Sequence, residues 1–212
     1  MATLDLQEQE QVEALKAWWK DNGTWLLLAL ALVLGGFAAT KGWQAYKEKQ
    51  AGEAATLFAE LNKQLGSKDP KRINDAATAV IDQFGSSAYA PRAALLAAQI
   101  NIQVKDSAHA KTQLQWVIDH ASEAALKDVA RLKLASVLLD EKSYSEALTL
   151  LDAQHPDSFA GLYADLKGDV LNAQGKSEEA RTAYQQAFEK IDAKSPYRNL
   201  VQMKLDALGG AK

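Results

Sequence analysis

The chain has no cysteine, and this one absence removes disulfides, thiol nucleophiles and cysteine metal sites together. It does not fix the compartment, because a large helical domain can be stable without disulfides on either side of a membrane. Histidine is scarce too. His109, His120 and His155 are the only three, no two of them share an i,i+4 spacing, and no HExxH pattern occurs. They read as surface or loop side chains, and no metal site is expected. There is no GxSxG, no glycine loop to cradle a phosphate and no dinucleotide fingerprint, so no catalytic residue and no cofactor is expected. The acidic pairs Asp140-Glu141 and Glu178-Glu179 fall at helix starts or turns, where the helix dipole accounts for them. Charge of one sign is also missing. A net charge of -3 without a cluster of Lys or Arg disfavours nucleic acid as a partner. With 4 Pro and 12 Gly in 212 residues and no alternating stretch long enough for a strand, the Ala, Leu, Gln, Glu and Lys that dominate point to an all-α fold.

One long hydrophobic run is present. GTWLLLALALVLGGFAAT, from Gly23 to Thr40, carries no charge between Asp21 and Lys41. At about 1.5 Å of rise per residue it covers roughly the 30 Å hydrocarbon core of a bilayer. Aromatic residues bracket it: Trp18, Trp19 and Trp25 at one end, Trp43 and Tyr46 at the other. Along a helix, Trp25 and Trp43 stand about 27 Å apart, at the two depths where indole rings prefer to lie. A cleaved signal peptide fits poorly, because it needs a basic leader and an apolar region of about 7–15 residues. This leader is acidic, with Asp5, Glu8, Glu10, Glu13 and Asp21 against Lys16 and Lys20. A buried core helix fits poorly as well, since the run is apolar on every side and framed by tryptophans. The expectation is a single transmembrane helix over 23–46, in contact with membrane lipid, behind a short acidic tail over 1–22.

After Lys41 nothing is strong enough to stop a helix, so the span is expected to continue, or to bend near Gly52, into a first soluble helix with Leu57, Phe58, Leu61 and Leu65 as its apolar stripe. A second helix is expected over 71–84, and 47–87 is read as a helical linker and first helix pair. From residue 88 the periodicity predicts helices over 88–104, 107–120, 123–139, 144–153, 158–173, 177–191 and 196–207, joined by connections short enough to force antiparallel neighbours. An internal repeat emerges there. Gly168, Gly175, Ala180, Tyr184 and Ala187 have the spacing of a tetratricopeptide repeat, and Ala135, Tyr144, Ala147 and Leu151 repeat it 33 residues upstream. Ala98, Ala110 and Leu114 form a fainter third copy. Small residues at Gly168 and Ala180 let the helices of a pair approach closely, Gly175 turns the chain, and Tyr184 and Ala187 are expected to pack toward the next unit. A generic alanine-rich bundle is the other reading of the same residues.

A stack of such pairs presents a concave face made of the first helix of each pair. Aligning the two clearer copies puts Val129, Leu132, Ser136 and Leu139, then Leu162, Asp165, Asp169 and Asn172, on that face. The set is apolar and acidic with no basic clamp, so it is expected to bind apolar or extended segments, or the flank of a partner protein, rather than a terminal carboxylate. The alternative is that several of these residues belong to the core.

The acidic leader with QVEALKAWWKDNG, the segment ADLKGDVLNAQGKSEEAR at Ala164–Arg181 and the closing VQMKLDAL at Val201–Leu208 resemble the YfgM family, single-pass ancillary subunits of the bacterial SecYEG translocon. The resemblance spans nearly the whole chain, and the middle matches mainly in pattern. It implies an inner-membrane protein with a cytoplasmic N-terminus and a periplasmic tetratricopeptide-like domain over 88–212. It also implies association with SecYEG and with the membrane-anchored chaperone PpiD, and a part in handing translocated, unfolded clients to periplasmic chaperones. Flanking charge points the other way: Lys16 and Lys20 precede the span while Lys41, Lys47 and Lys49 follow it, which by the positive-inside rule favours a cytoplasmic domain by one charge. Long domains translocate largely regardless of such a margin, so the periplasmic orientation is the expectation. A homo-oligomeric scaffold is the competing reading, in which Gly35, Gly36 and Ala39 or Thr40 pack identical anchors together.

Overall fold

A segment in hydrocarbon must satisfy its backbone hydrogen bonds internally, and a helix does so. The structure, a computed structural model, describes residues 6–67 and 69–209, so residues 1–5 of the acidic leader, Lys68 of the first loop and residues 210–212 lie outside the described residues. Helix α1 runs Leu6–Leu65 as a single element, so neither the leader nor Gly52 interrupts it. Among the described residues it is the one helix long and apolar enough to cross a membrane. The chain divides into two compact units at Gln50 and Ala51.

The first unit is the α1 segment up to Gln50, and nearly every side chain described along it is exposed. Trp25 is 76% exposed and Leu32 77%, a surface that needs an apolar solvent around it. The interface residues are arranged along the helix at both ends. Trp19 lies over Gly23, where a methyl group would stand 3.1 Å from the indole. At the far end Trp43 and Tyr46 pair with ring centres 6.0 Å apart. Lys41 and Lys47 reach back over Phe37 and Trp43, with their ammonium groups 5.7 and 5.5 Å from the ring centres. Those lysines lay their stems along apolar surface and hold their charge over the ring face, a cation–π contact.

The second unit begins with the last turns of α1 and has no break at residue 88. Leu57, Phe58, Leu61 and Leu65 of α1 pack with Ile73, Ala77 and Val80 of α2 (Pro70–Phe84) and with Ala90, Ala93 and Ala97 of α3 (Tyr89–Gln103). Helix α2 starts where it does because Asp69 accepts the Lys71 N–H at 3.0 Å and Pro70 fits the first turn. The remaining helices are α4 (Ser107–His120), α5 (Ala124–Asp140), α6 (Tyr144–Leu151), α7 (Asp157–Ala173), α8 (Ser177–Lys190) and α9 (Tyr197–Ala207). They pack in sequence as pairs α3/α4, α5/α6 and α7/α8, with α9 following alone.

The pairs share one turn. Each first helix ends with a residue of positive φ: Lys105 at 61°, Lys142 at 62° and Gly175 at 77°. In each turn the following N–H returns to a carbonyl five residues back, Asp106 to Asn101, Ser143 to Leu138 and Lys176 to Leu171, at 2.8, 2.8 and 3.0 Å. The left-handed residue is cheap for glycine and costs about 1 kcal/mol or more for lysine.

Small residues set the separation within the pairs. Ala98, Ala110, Ala135, Ala147, Ala180 and Ala187 are all 0% exposed. Gly168 is the tightest point: a methyl there would lie 2.4 Å from Cε1 of Tyr184. The Tyr184 ring therefore turns back onto its own pair, besides packing with Val201 and Leu205 of α9, where the repeat spacing alone directed it forward. Its hydroxyl is tied to Asp169 at 2.8 Å, so the ring cannot swing aside for a larger residue. Replacing Gly168 by alanine gains about 1 kcal/mol of helix propensity and costs about 1–3 kcal/mol of overpacking. Urea denaturation of Gly168→Ala followed by helical circular dichroism should therefore show a net loss of stability in the second unit.

Candidate functional site: the face of the first helices

The expected binding positions lie on α5 and α7. On α5, Val129, Leu132 and Leu139 are half-buried and Ser136 is exposed; on α7, Leu162 and Asn172 are exposed. The apolar members keep part of their surface in water while their other side joins the core beneath, where Leu132 and Leu139 pack with Leu134, Leu138 and Tyr163.

The two acids behave differently. Asp165 is 2% exposed, and it faces α9 rather than an open groove. The Lys204 ammonium donates to both Asp165 oxygens at 2.9 and 2.8 Å and reaches Asp169 at 2.7–2.8 Å. The Tyr197 hydroxyl donates to Asp165 at 2.5 Å. A basic group thus does complement the acidic pair, supplied by the chain itself from 39 residues away. That corrects the expectation of an open acidic patch. A carboxylate at this depth is stable only when paired, and α9 provides the partner.

The same device recurs one step earlier. Asp128 of α5 is 1% exposed; it accepts the Tyr163 hydroxyl of α7 at 2.9 Å and an Arg131 N–H at 3.0 Å. Each of these phenols is held in its neutral donor form. Burial first, then the Asp128 carboxylate, pushes Tyr163 up to about 12. Burial, with Asp169 and Asp165 respectively, raises Tyr184 and Tyr197 well above the ordinary phenol value. Between α2, α3 and α4 the polar partners are neutral: the Asn101 amide bonds Asn74 at 2.9 Å and Gln113 at 2.8 Å. All these groups stitch one helix to the next. The histidine ring nitrogens bond elsewhere. His109 bonds the Asp106 carboxylate at 2.7 Å, His120 stacks on Trp116 at 4.6 Å, and His155 lies against Tyr163 at 4.2 Å.

Two exposed residues on α9 escaped the repeat alignment. Tyr163, Leu166 and Asp169 are followed 34 residues later by Tyr197, Leu200 and Met203, and the tyrosines of the two sets make the same kind of bond to the preceding first helix. Helix α9 thus corresponds to the first helix of a pair. Leu200 and Met203, 43% and 67% exposed, occupy the positions that Leu166 and Asp169 hold on α7. The 33-residue offset of the two clearer copies misses them; the step from α7 to α9 is 34 residues, as the left-handed glycines Gly175 and Gly209 also show.

A family model described as a tetratricopeptide repeat-like domain matches residues 16–210. The chain is 34% identical over 204 residues to a protein of Neisseria gonorrhoeae named ancillary SecYEG translocon subunit, with 96% of this chain and 98% of that one covered. Proteins of the same name from Escherichia coli K12 and Haemophilus influenzae are 28% and 26% identical, covering 95–96% of this chain and 96–98% of theirs. The chain belongs to the YfgM family. Family membership and the helix order together decide between a tetratricopeptide-like stack and a generic bundle: the fold is all-α and repeat-like, with one candidate membrane helix near its N-terminus.

If Lys204 neutralises the acidic pair, Lys204→Met should cost about 2–3 kcal/mol. This is below the about 3–5 kcal/mol of a fully buried pair, because Lys204 is 24% exposed and Tyr197 still donates to Asp165. Adding Asp165→Asn should recover part of that loss in urea denaturation, since the carboxylate still without its cation is then Asp169, which is 30% exposed and keeps the Tyr184 hydroxyl.

Proposed function

We propose that this chain is a membrane-tethered interaction protein of the SecYEG translocon. In this reading the span over 23–46 sits beside translocon helices, the leader over 1–22 is cytoplasmic, and the repeat domain is periplasmic. There it meets a membrane-anchored chaperone of the PpiD kind and translocated clients, and assists their handover to periplasmic chaperones. It is not an enzyme. The observation that carries the proposal is the face just described. Its carboxylates are neutralised within the chain, while Leu162, Leu200 and Met203 remain exposed with Ser136 and Asn172 among them. Such a surface suits apolar or extended polypeptide and offers no cationic clamp for a terminal carboxylate. Relatives matched over nearly the full length of both chains and named as translocon subunits support the membrane partner.

Purification of the tagged full chain in mild detergent tests it. SecY and the chaperone should co-purify, and Leu162→Glu with Met203→Glu should lower chaperone recovery about tenfold or more while SecY, held by the span, is retained. A preparation free of SecY, or chaperone recovery indifferent to the two glutamates, contradicts the reading; a preparation holding only further copies of the chain favours the scaffold instead.

Orientation has its own check. Alkaline phosphatase fused after Leu208 should be active, and an inactive, stably expressed fusion would place the domain in the cytoplasm, as the lysine balance suggests.

A further inference from the structure

The second helices of the pairs carry a feature that the first-helix face does not explain. A cleft of about 780 Å³ lies between α4 and α6, with α5 as its floor. Helix α6 has 8 residues where α4 has 14, and the α5 residues between them, Leu134 and Leu138, are 6% and 5% exposed. Leu134 and Leu138 form the floor, Trp116 stands on the α4 side and Leu150 on the α6 side. Trp116 is the one tryptophan outside α1. Its position is fixed from behind: it packs against two core clusters, passes 3.8 Å from where a methyl on Gly85 would stand, and stacks on His120.

The rim is acidic in effect. Lys111 also borders the cleft, but Glu141 takes its charge at 2.5 Å. Asp119 of α4 receives only the Gln115 amide at 3.0 Å, and Glu146 of α6 is exposed; among the described residues no cation pairs with either. An apolar trough with an unneutralised carboxylate from each flanking helix is complementary to one kind of ligand.

We propose that this cleft receives a basic amphipathic helix of a partner protein. Apolar side chains at i, i+3 and i+4 enter against Trp116, Leu134, Leu138 and Leu150, and flanking Lys or Arg meets Asp119 and Glu146. The proposal is independent of the first-helix face, because Leu134 and Leu138 of α5 are not among the face positions Val129, Leu132, Ser136 and Leu139, and the other lining residues lie on α4 and α6.

The absence of cysteine supplies the test. Thr149→Cys places a single fluorophore on the cleft wall of the full chain in dodecylmaltoside, and Thr182→Cys on α8 serves as the control position. The probes are a helix-forming peptide of about 18 residues with leucine on one face and lysine on the other, and the same peptide with glutamate for lysine. The Thr149→Cys label should respond saturably to the lysine peptide, which should bind about tenfold tighter than the glutamate peptide. Asp119→Lys with Glu146→Lys should reverse that preference and leave the helical circular dichroism unchanged. Four results would overturn the proposal: equal response at the Thr182→Cys label, equal affinity for the two peptides, a preference that survives charge reversal, or a peptide-free signal that changes on dilution with unlabelled chain. The last outcome would mean that a second copy fills the cleft.

Discussion

The second unit depends on how closely its helices can approach. Where Gly168 meets the Tyr184 ring, and where alanines with no exposed surface meet in the other pairs, the backbones come near enough that little depth is left for large side chains. Burial is therefore spread along the stack, in three clusters rather than one centre. A stack of this kind gains its stability from neighbour interfaces, and each interface must hold its own register. Hydrophobic contact between alanines is poor at specifying register, since one small apolar surface resembles the next. The Asp128–Tyr163 and Asp165–Tyr197 bonds and the Asn101 cluster supply directional contacts at those steps. Each costs desolvation that hydrophobic packing would not, and in return a slipped helix would leave a carboxylate or amide unpaired.

Helix α9 has two effects that pull in different directions. Its inner side closes the acidic pair of α7 with Lys204 and Tyr197, removing negative charge from the first-helix face. Its outer side adds Leu200 and Met203 to the exposed surface. A helix whose only task was to cap the stack would be polar outside. The face consequently gains exposed apolar surface on α9, as suits the ligand class proposed for it.

What the sequence disclosed, and what it concealed, follows from the range of the forces involved. Helix positions were legible, from α2 at 70–84 to α9 at 197–207, because a 3.6-residue apolar period and the breaks around Gly66, Gly85 and Gly175 are local. The apolar span was legible for the same reason. The turns after α3 and α5 were harder, since Lys105 and Lys142 hold a conformation normally signalled by glycine. Long-range pairing was hidden. Nothing near Asp165 indicates that Lys204 will neutralise it, and a carboxylate destined for burial looks the same in a sequence as one facing water. The cleft beside Trp116 was equally invisible, for its lining comes from three helices whose residues are far apart in the sequence.

The modest size of the exposed apolar face fits a tethered protein better than a free one. The six partly exposed apolar residues, Val129, Leu132, Leu139, Leu162, Leu200 and Met203, fall well short of the roughly 20–30 residues per side of a stable interface, and in dilute solution they would support only weak binding. A shared membrane changes the requirement. For a partner anchored in the same bilayer, the second contact becomes intramolecular, and short flexible connections give effective concentrations in the millimolar range. Affinities of about 0.1–1 mM then suffice for occupancy, and release stays fast. If Leu162 and Met203 meet a partner as proposed, the tryptophan-bracketed helix shares in the binding energetics. It supplies the local concentration that so sparse a surface needs.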